Sequence, residues 1–386
     1  MLEIQKLIRN NPDTWRNILM NPPYMLKISQ LNDTDNRIMF KYRQGISDYS
    51  YEIVKEARGL ILDKDTFEVI SMGFKKFFLC DSEFADKVNW NTLQVQEKFD
   101  GSLITLYYYN DEWVASTTGT IDATYAPISQ GTVTNFRQLF DIACSNSNLD
   151  YSRLNTNYCY MFELISPYNK QVVQYDTTEI IHIGTRDRTS LCEVDVNIGI
   201  RKPNVYSVAN LNNALSIVNS DDFDGEGFVA VDNDYNRIKI KSDKWFKWHY
   251  MLNNNSMNIS RALDILFTDD SEEFVARYPL YKDYFNNVFT AYQLVLDYIS
   301  KVILYAENIL KKFNNRSDIA IKWSEFVSSA HDDKRQFLGN FKSAYFGRID
   351  DINYNAEMFI KNTSKNKFAE IVKQAYTFLD FEMKFN

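Results

Sequence analysis

Glycine and proline are concentrated in the first part of the chain: ten of the 12 glycines and six of the 7 prolines lie before residue 230. Downstream, only Gly339, Gly347 and Pro279 interrupt the sequence. These two residues punctuate turns, so the distribution predicts a strand-rich first part made of short segments and a helical last part. A length of 386 residues with 45% hydrophobic side chains is enough for two packed cores. The local patterns agree. SLITLYYY, YCYMFELIS, EGFVAVD and NRIKIKS are short runs rich in β-branched and aromatic residues, bounded by Gly, Asn, Asp or Ser, and are expected to be strands. Further on, Tyr292, Val295, Leu296, Ile299, Val302, Ile303, Ala306, Ile309, Leu310 and Phe313 recur at helical spacing, with Asp297, Lys301, Glu307 and Lys311 between them. That spacing predicts one long amphipathic helix within a bundle. The boundary falls near residue 250, with no repeat or low-complexity linker on either side.

Charge narrows the possible functions. There are 43 Lys+Arg against 51 Asp+Glu, a formal net charge of −8. A general nucleic-acid coat or a polybasic membrane anchor needs a basic excess spread over the surface, so both are disfavoured, whereas a local basic cleft is not. From residue 251 onward there are 17 basic and 18 acidic residues, so the acidic excess lies in the first 250. Lys311, Lys312 and Arg316, and then Lys361, Lys365, Lys367 and Lys373, form either a solvated helix face or a phosphate-binding face. No long apolar run and no signal-peptide plan occur, so the expectation is a soluble, cytoplasmic protein with no membrane partner. The cysteines Cys80, Cys144, Cys159 and Cys192 lack CxxC pairing and are expected to be buried, reduced thiols. Three scattered histidines give no obvious metal site.

Five residues suggest chemistry. Lys98, in EKFDGSL, precedes Asp100 and Gly101. A lysine that attacks a phosphate must be neutral when it does so, which calls for desolvation or neighbouring cations to lower its pKa, and the nearby glycine lets phosphates approach the backbone. A solvated lysine in a strand-to-turn segment is the plainer alternative. Glu163, in YMFELISPYNK, lies in an apolar strand where a carboxylate needs a reason to be buried. Glu226, between two glycines in DGEGFVAV, could hold a divalent cation at a strand entrance. Lys239 and Lys241 alternate with Ile238 and Ile240, so both ammonium groups share one strand face. Two such cations suit a triphosphate, although a solvent-facing edge strand would give the same alternation.

KFDG, the Phe-Glu of YMFEL, EGFVA and KIK follow one another in an order and spacing that resembles the motif set of covalent nucleotidyltransferases, the superfamily of ATP-dependent ligases and RNA capping enzymes. The match is closer to the phage T4 RNA ligase 1 family, through EARGLILD with Arg58, the segment Lys76-Phe77-Phe78, ISPYNKQVV at 165 to 173, and the IKSDxW-like continuation at 240 to 245. No single motif is specific; the ordered set is. The resemblance implies an α+β fold, with a nucleotidyltransferase (adenylation) domain of antiparallel sheets flanked by helices over 1–250 and an all-α domain over 251–386. Lys98 would be the nucleophile that takes AMP from ATP. Arg58 and Lys76 would contact the ATP phosphates, with Phe78 packing beneath them. Glu163 would bind the ribose hydroxyl, Glu226 would organise Mg²⁺ or Mn²⁺, and Lys239 and Lys241 would stabilise charge at the α-phosphate. Trp245 matches an aromatic position of the family, and Arg186, in HIGTR, falls near a further motif. The implied partner is RNA with 5′-phosphate and 3′-hydroxyl ends, in particular broken tRNA faced by the helical domain, with the enzyme a monomer.

One position departs from this pattern. Where close relatives place a lysine after the first motif, STTGTI has Thr118. Either a lysine from elsewhere substitutes or one step is weakened. A DNA ligase or a capping enzyme would share the central motifs but would follow them with a strand-rich barrel, against which the Gly-poor tail counts. A catalytically weak RNA-binding relative is the third reading.

Overall fold

The computed structural model describes residues 1–130, 133–168, 173–245, 259–266 and 271–293, with single residues at 296, 318, 321, 324 and 325. The chain divides into two compact units, Met1–Asn255 and Ser256–Asn386.

Among the described residues, the first unit is built on fifteen short strands. They are β1 (Lys27–Ser29), β2 (Arg37–Lys41), β3 (Arg58–Asp63), β4 (Val69–Ser71), β5 (Phe78–Leu79), β6 (Gln94–Lys98), β7 (Ser102–Tyr109) and β8 (Glu112–Thr117). There follow β9 (Pro127–Gln130), β10 (Val133–Asn135), β11 (Tyr158–Ile165), β12 (Glu179–Asp187), β13 (Val205–Tyr206), β14 (Gly227–Val231) and β15 (Arg237–Lys241). Helices of this unit include α1 (Glu3–Asn10), α2 (Trp15–Met20), α3 (Glu52–Glu56), α4 (Phe136–Asn146) and α5 (Leu211–Val218), and residues 243–245 are also helical. All four segments expected to be strands from their β-branched and aromatic content are strands.

Three larger sheets result, in the orders β1-β2-β3-β4, β12-β11-β7-β8 and β13-β6-β14-β15-β5; β9 and β10 form a separate pair. Pairing is antiparallel throughout except between β15 and β5. Strand alternation decides which face each residue serves. Along β2, Ile38 and Phe40 pack with Leu60 and Leu62 of β3 against Ile4, Ile8 and Val54 of the helices. Met39 and Ile61 point the other way, onto Tyr107, Val114 and Cys159 of the second sheet. The far face of that sheet, with Ile104, Leu106, Tyr160, Phe162 and Leu164, packs on Leu139, Phe140 and Ala143 of α4. In the five-stranded sheet, Val95, Phe228, Ala230, Ile238 and Ile240 pack on Ala214 and Val218 of α5. Odd-numbered Glu163 therefore faces away from α4, and Lys239 and Lys241 face away from α5.

The four cysteines are reduced thiols, but only Cys144 and Cys159 are buried as expected; Cys80 is half-buried, and Cys192 is exposed because it follows the turn that ends β12 instead of packing in a sheet. In the second unit, α6 (Ile259–Leu266), α7 (Ser271–Arg277) and residues 282–293 are helical. Most of the long helix expected to run to Phe313 lies outside the described residues, as do the lysine clusters from Lys311 to Lys373. Among the described residues no helix is long and apolar enough to cross a membrane.

Candidate active site

Lys98 ends β6, Glu226 immediately precedes β14, and Lys241 ends β15. The register places Gly227 of β14 opposite both Lys98 and Lys241. Gly227 has φ +151°, and a Cβ on it would lie 2.1 Å from the carbonyl oxygen of Ile240, so only glycine lets these three strand ends close together. Glu226 then lies between two cations: its Oε2 is 2.6 Å from Lys98 Nζ and its Oε1 is 2.9 Å from Lys241 Nζ. Lys241 and Glu226 are buried, whereas the Lys98 side chain keeps 19% of its surface exposed.

Burial on its own would raise the pKa of Glu226, but Lys241 and Lys98 hold it below the usual carboxylate range. For Lys98 the balance differs from the sequence expectation. Burial pushes its ammonium down and Lys241 adds to that, yet Glu226 and Glu163 outweigh them, so its pKa lies above the ordinary lysine value. While Glu226 is paired to it, Lys98 is a charged anchor. Its nitrogen could act as a nucleophile only if that carboxylate's charge were engaged elsewhere.

Glu163 sits on β11, and its Oε1 accepts the Gly101 N–H at 3.1 Å. Burial, reinforced by Glu226 and opposed by Lys98, pushes its pKa up to about 7. Trp245 is buried; its indole N–H donates to Asp100 Oδ2 at 3.2 Å, and Lys241 Nζ lies 4.1 Å from its ring centroid. Asp100 also accepts the Val173 N–H at 2.8 Å, while its own N–H donates to the Tyr175 hydroxyl at 3.0 Å. Burial and Glu226 raise the Asp100 pKa. The carboxylate of the first motif thus ties the turn after Lys98 to the residues following β15, a bridge that reading Asp100 only as part of KFDG did not reveal.

β15 is an interior strand, between β14 and β5, so the edge-strand reading of Lys239 and Lys241 does not hold. Lys239 is buried, with its Nζ 5.1 Å from the ring centroid of Phe77. Arg58 approaches the same ring, its Cζ 5.3 Å from the centroid, and its Nη1 is buried without a hydrogen-bond partner. Phe77 therefore links a cation of the first sheet to one of the five-stranded sheet, although sequence reasoning singled out its neighbour Phe78. The signal was present, since alternation sends Phe78 into the core and Phe77 to the other face. Phe78 is fully buried against Tyr49 and Phe84. Lys76 Nζ lies among the rings of Tyr42, Tyr49 and Phe78, at 5.4 to 5.6 Å from their centroids. Arg186 is engaged within the fold: it donates to the carbonyl oxygens of Gly73 and Leu191 and pairs with Glu193 at 2.8 Å.

The carboxylates around Lys98 suit a hard cation only in part. Among the described residues no group of three or more His, Cys, Asp or Glu side chains forms a metal cage. Mg²⁺, however, is commonly held by one or two carboxylates with phosphate oxygens and waters completing the shell, and Glu226 fits that donor set.

The family model described as RNA ligase, of the T4 RNA ligase 1 type, matches residues 56–252, and this chain belongs to that family. An RNA ligase of Rhodothermus phage RM378 is 32% identical over 180 residues, covering 38% of this chain and 40% of the relative. A protein of Autographa californica nuclear polyhedrosis virus, provisionally designated a bifunctional polynucleotide kinase/RNA ligase, is 27% identical over 305 residues, covering 72% of this chain and 42% of the relative. The chain thus spans about two fifths of the length of the curated relatives it matches. An archaeal ATP-dependent RNA ligase is 15% identical across 76% of this chain and 74% of its own, with a TM-score of 0.42, a likeness that carries no argument about chemistry.

Proposed function

We propose that this chain is an ATP-dependent RNA ligase that joins RNA 5′-phosphate and 3′-hydroxyl ends through three nucleotidyl transfers. The observation that carries this reading is the cluster at the strand ends, where Lys98 shares Glu226 with Lys241, in a chain of the RNA ligase family. In the first transfer the Lys98 Nζ lone pair attacks the α-phosphorus of ATP, the bond to pyrophosphate breaks, and the lysine proton leaves to solvent. Lys241 and Lys239 balance charge at the α-phosphate, and Arg58, with its buried unbonded Nη1, suits the departing phosphates. Glu163 lies on the sheet face beside Lys98 and is read as the ribose partner. Trp245 and Asp100 hold Lys241 and the turn after Lys98 in register. Mg²⁺ or Mn²⁺ at Glu226 would supply the positive charge that offsets the phosphates and draws Glu226 away from Lys98. AMP then passes to the RNA 5′-phosphate, and the 3′-hydroxyl displaces it.

The test is incubation with α-labelled ATP or GTP, Mg²⁺ and an RNA carrying both ends. Acid-labile, amine-linked AMP on the protein and sealed RNA are the expected results. Absence of label would end the reading, and preference for GTP would redirect it to capping. The finer reading, repair of broken tRNA with the second unit facing the tRNA, rests on the family resemblance. Removing residues 256–386 should leave self-adenylylation largely intact while impairing sealing of a nicked tRNA; equal sealing by the shortened chain would sink it.

A further inference from the structure

Resting on that reading, we infer that Lys41 grips the outer phosphates of ATP and supplies the cation that the 117–120 turn lacks. Lys41 is the last residue of β2 and pairs with Arg58 of β3 across a register shift that skips Gly59, after Phe40 has paired with Leu60. As register partners the two cations are neighbours at this end of the β2–β3 ladder, and β1 extends the row outward with Lys27 opposite Lys41. Two cations brought together in this way suit an anion that reaches both. Alternation along β2 sends Lys41 to the Met39 face, toward the second sheet and the end of β8.

The turn after β8 meets this pair. Gly59, at φ +76°, is pressed so close that a Cβ on it would lie 3.1 Å from Thr118 Cα, and Lys41 Nζ lies 3.7 Å from the Cβ position of Gly119. The Lys41 ammonium therefore sits beside the residue next to Thr118 and reaches this place from another strand. Arg58, next to it, has a buried unbonded Nη1 and is close enough to Glu163 to lower that carboxyl's pKa. Glu163 lies within electrostatic reach of both Lys98 and Arg58, and Arg58 is the register partner of Lys41. A triphosphate whose α-phosphorus is at Lys98 would bring its outer phosphates to Arg58 and Lys41. Lys41 would therefore act in binding ATP and holding pyrophosphate, and not after pyrophosphate has left.

The test compares wild type, Lys41→Met, and Lys41→Met combined with Thr118→Lys. Three rates are measured: self-adenylylation against ATP concentration, release of AMP from adenylylated enzyme by pyrophosphate, and sealing of RNA already carrying AMP on its 5′-phosphate. Lys41→Met should raise KM for ATP about tenfold and slow the pyrophosphate reaction to a similar extent, while sealing of pre-adenylylated RNA, which has no outer phosphates, stays within about twofold. Thr118→Lys should restore most of the loss. An unchanged KM and pyrophosphate rate, or an equal loss in sealing pre-adenylylated RNA, would overturn the assignment. Wild-type enzyme that takes no AMP from ATP would instead remove the functional reading itself.

Discussion

Two sheets bring cations toward Lys98, and they do so in opposite ways. On the five-stranded sheet, charge is matched internally, with both oxygens of Glu226 engaged by Lys98 and Lys241 and the Lys241 ammonium stacked on Trp245. On the first sheet, Arg58 and Lys41 are register partners and the Arg58 Nη1 is buried without a hydrogen-bond partner. Buried polar groups are ordinarily hydrogen-bonded, and an orphaned guanidinium donor marks a place built for an anion that arrives from outside. The Glu226 side suits the groups that stay through the reaction, and the unbonded Arg58 Nη1 suits phosphates that come and go.

This contrast is open to direct challenge. The largest effect is expected at Gly227, where any side chain meets the Ile240 carbonyl; Gly227→Ala should lower the unfolding free energy by about 3 kcal/mol or more in denaturant melts. Near-normal stability would mean the strand ends are less tightly closed than described. Glu226→Gln, which leaves two lysines without their shared carboxylate, should slow adenylylation about 100-fold or more in single-turnover assays. Full activity would show that the matched side is only scaffold. Arg58→Met should raise KM for ATP about tenfold yet change stability by no more than about 1 kcal/mol, since its unbonded nitrogen contributes no internal hydrogen bond there. A large stability loss with unchanged KM would erase the distinction between the two sides. The smallest effect belongs to Phe77→Leu, which weakens the ring contacts of Arg58 and Lys239 together and should lower kcat/KM about fivefold.

Much of this arrangement was legible in the chain because a strand's period of two is a local rule. The alternation in NRIKIKS was enough to put Lys239 and Lys241 on one face and the isoleucines on the other, where α5 covers them. Even the uneven glycine and proline content located the strand-rich part, whereas most of the helix expected after Tyr292 lies outside the described residues. The missing pieces depend on pairings across long stretches of sequence. Lys41 becomes the partner of Arg58 only because the β2–β3 register shifts after Phe40, and Asp100 reaches Trp245 only because the ends of β6 and β15 lie together. The upward shift of Lys98 was misjudged for the same reason. Its sequence neighbourhood offered no hint that Glu226 would lie 2.6 Å away and, together with Glu163, outweigh burial and Lys241.

The central claim is that Lys98 becomes covalently attached to AMP. Peptide mass mapping after incubation with ATP and Mg²⁺, for wild type beside Lys98→Arg, tests it directly. The account predicts an AMP adduct on Lys98 in wild type and none in the variant, whose guanidinium can still pair with Glu226 but cannot be deprotonated to attack. An adduct on a different residue, or equal modification of the variant, would contradict it.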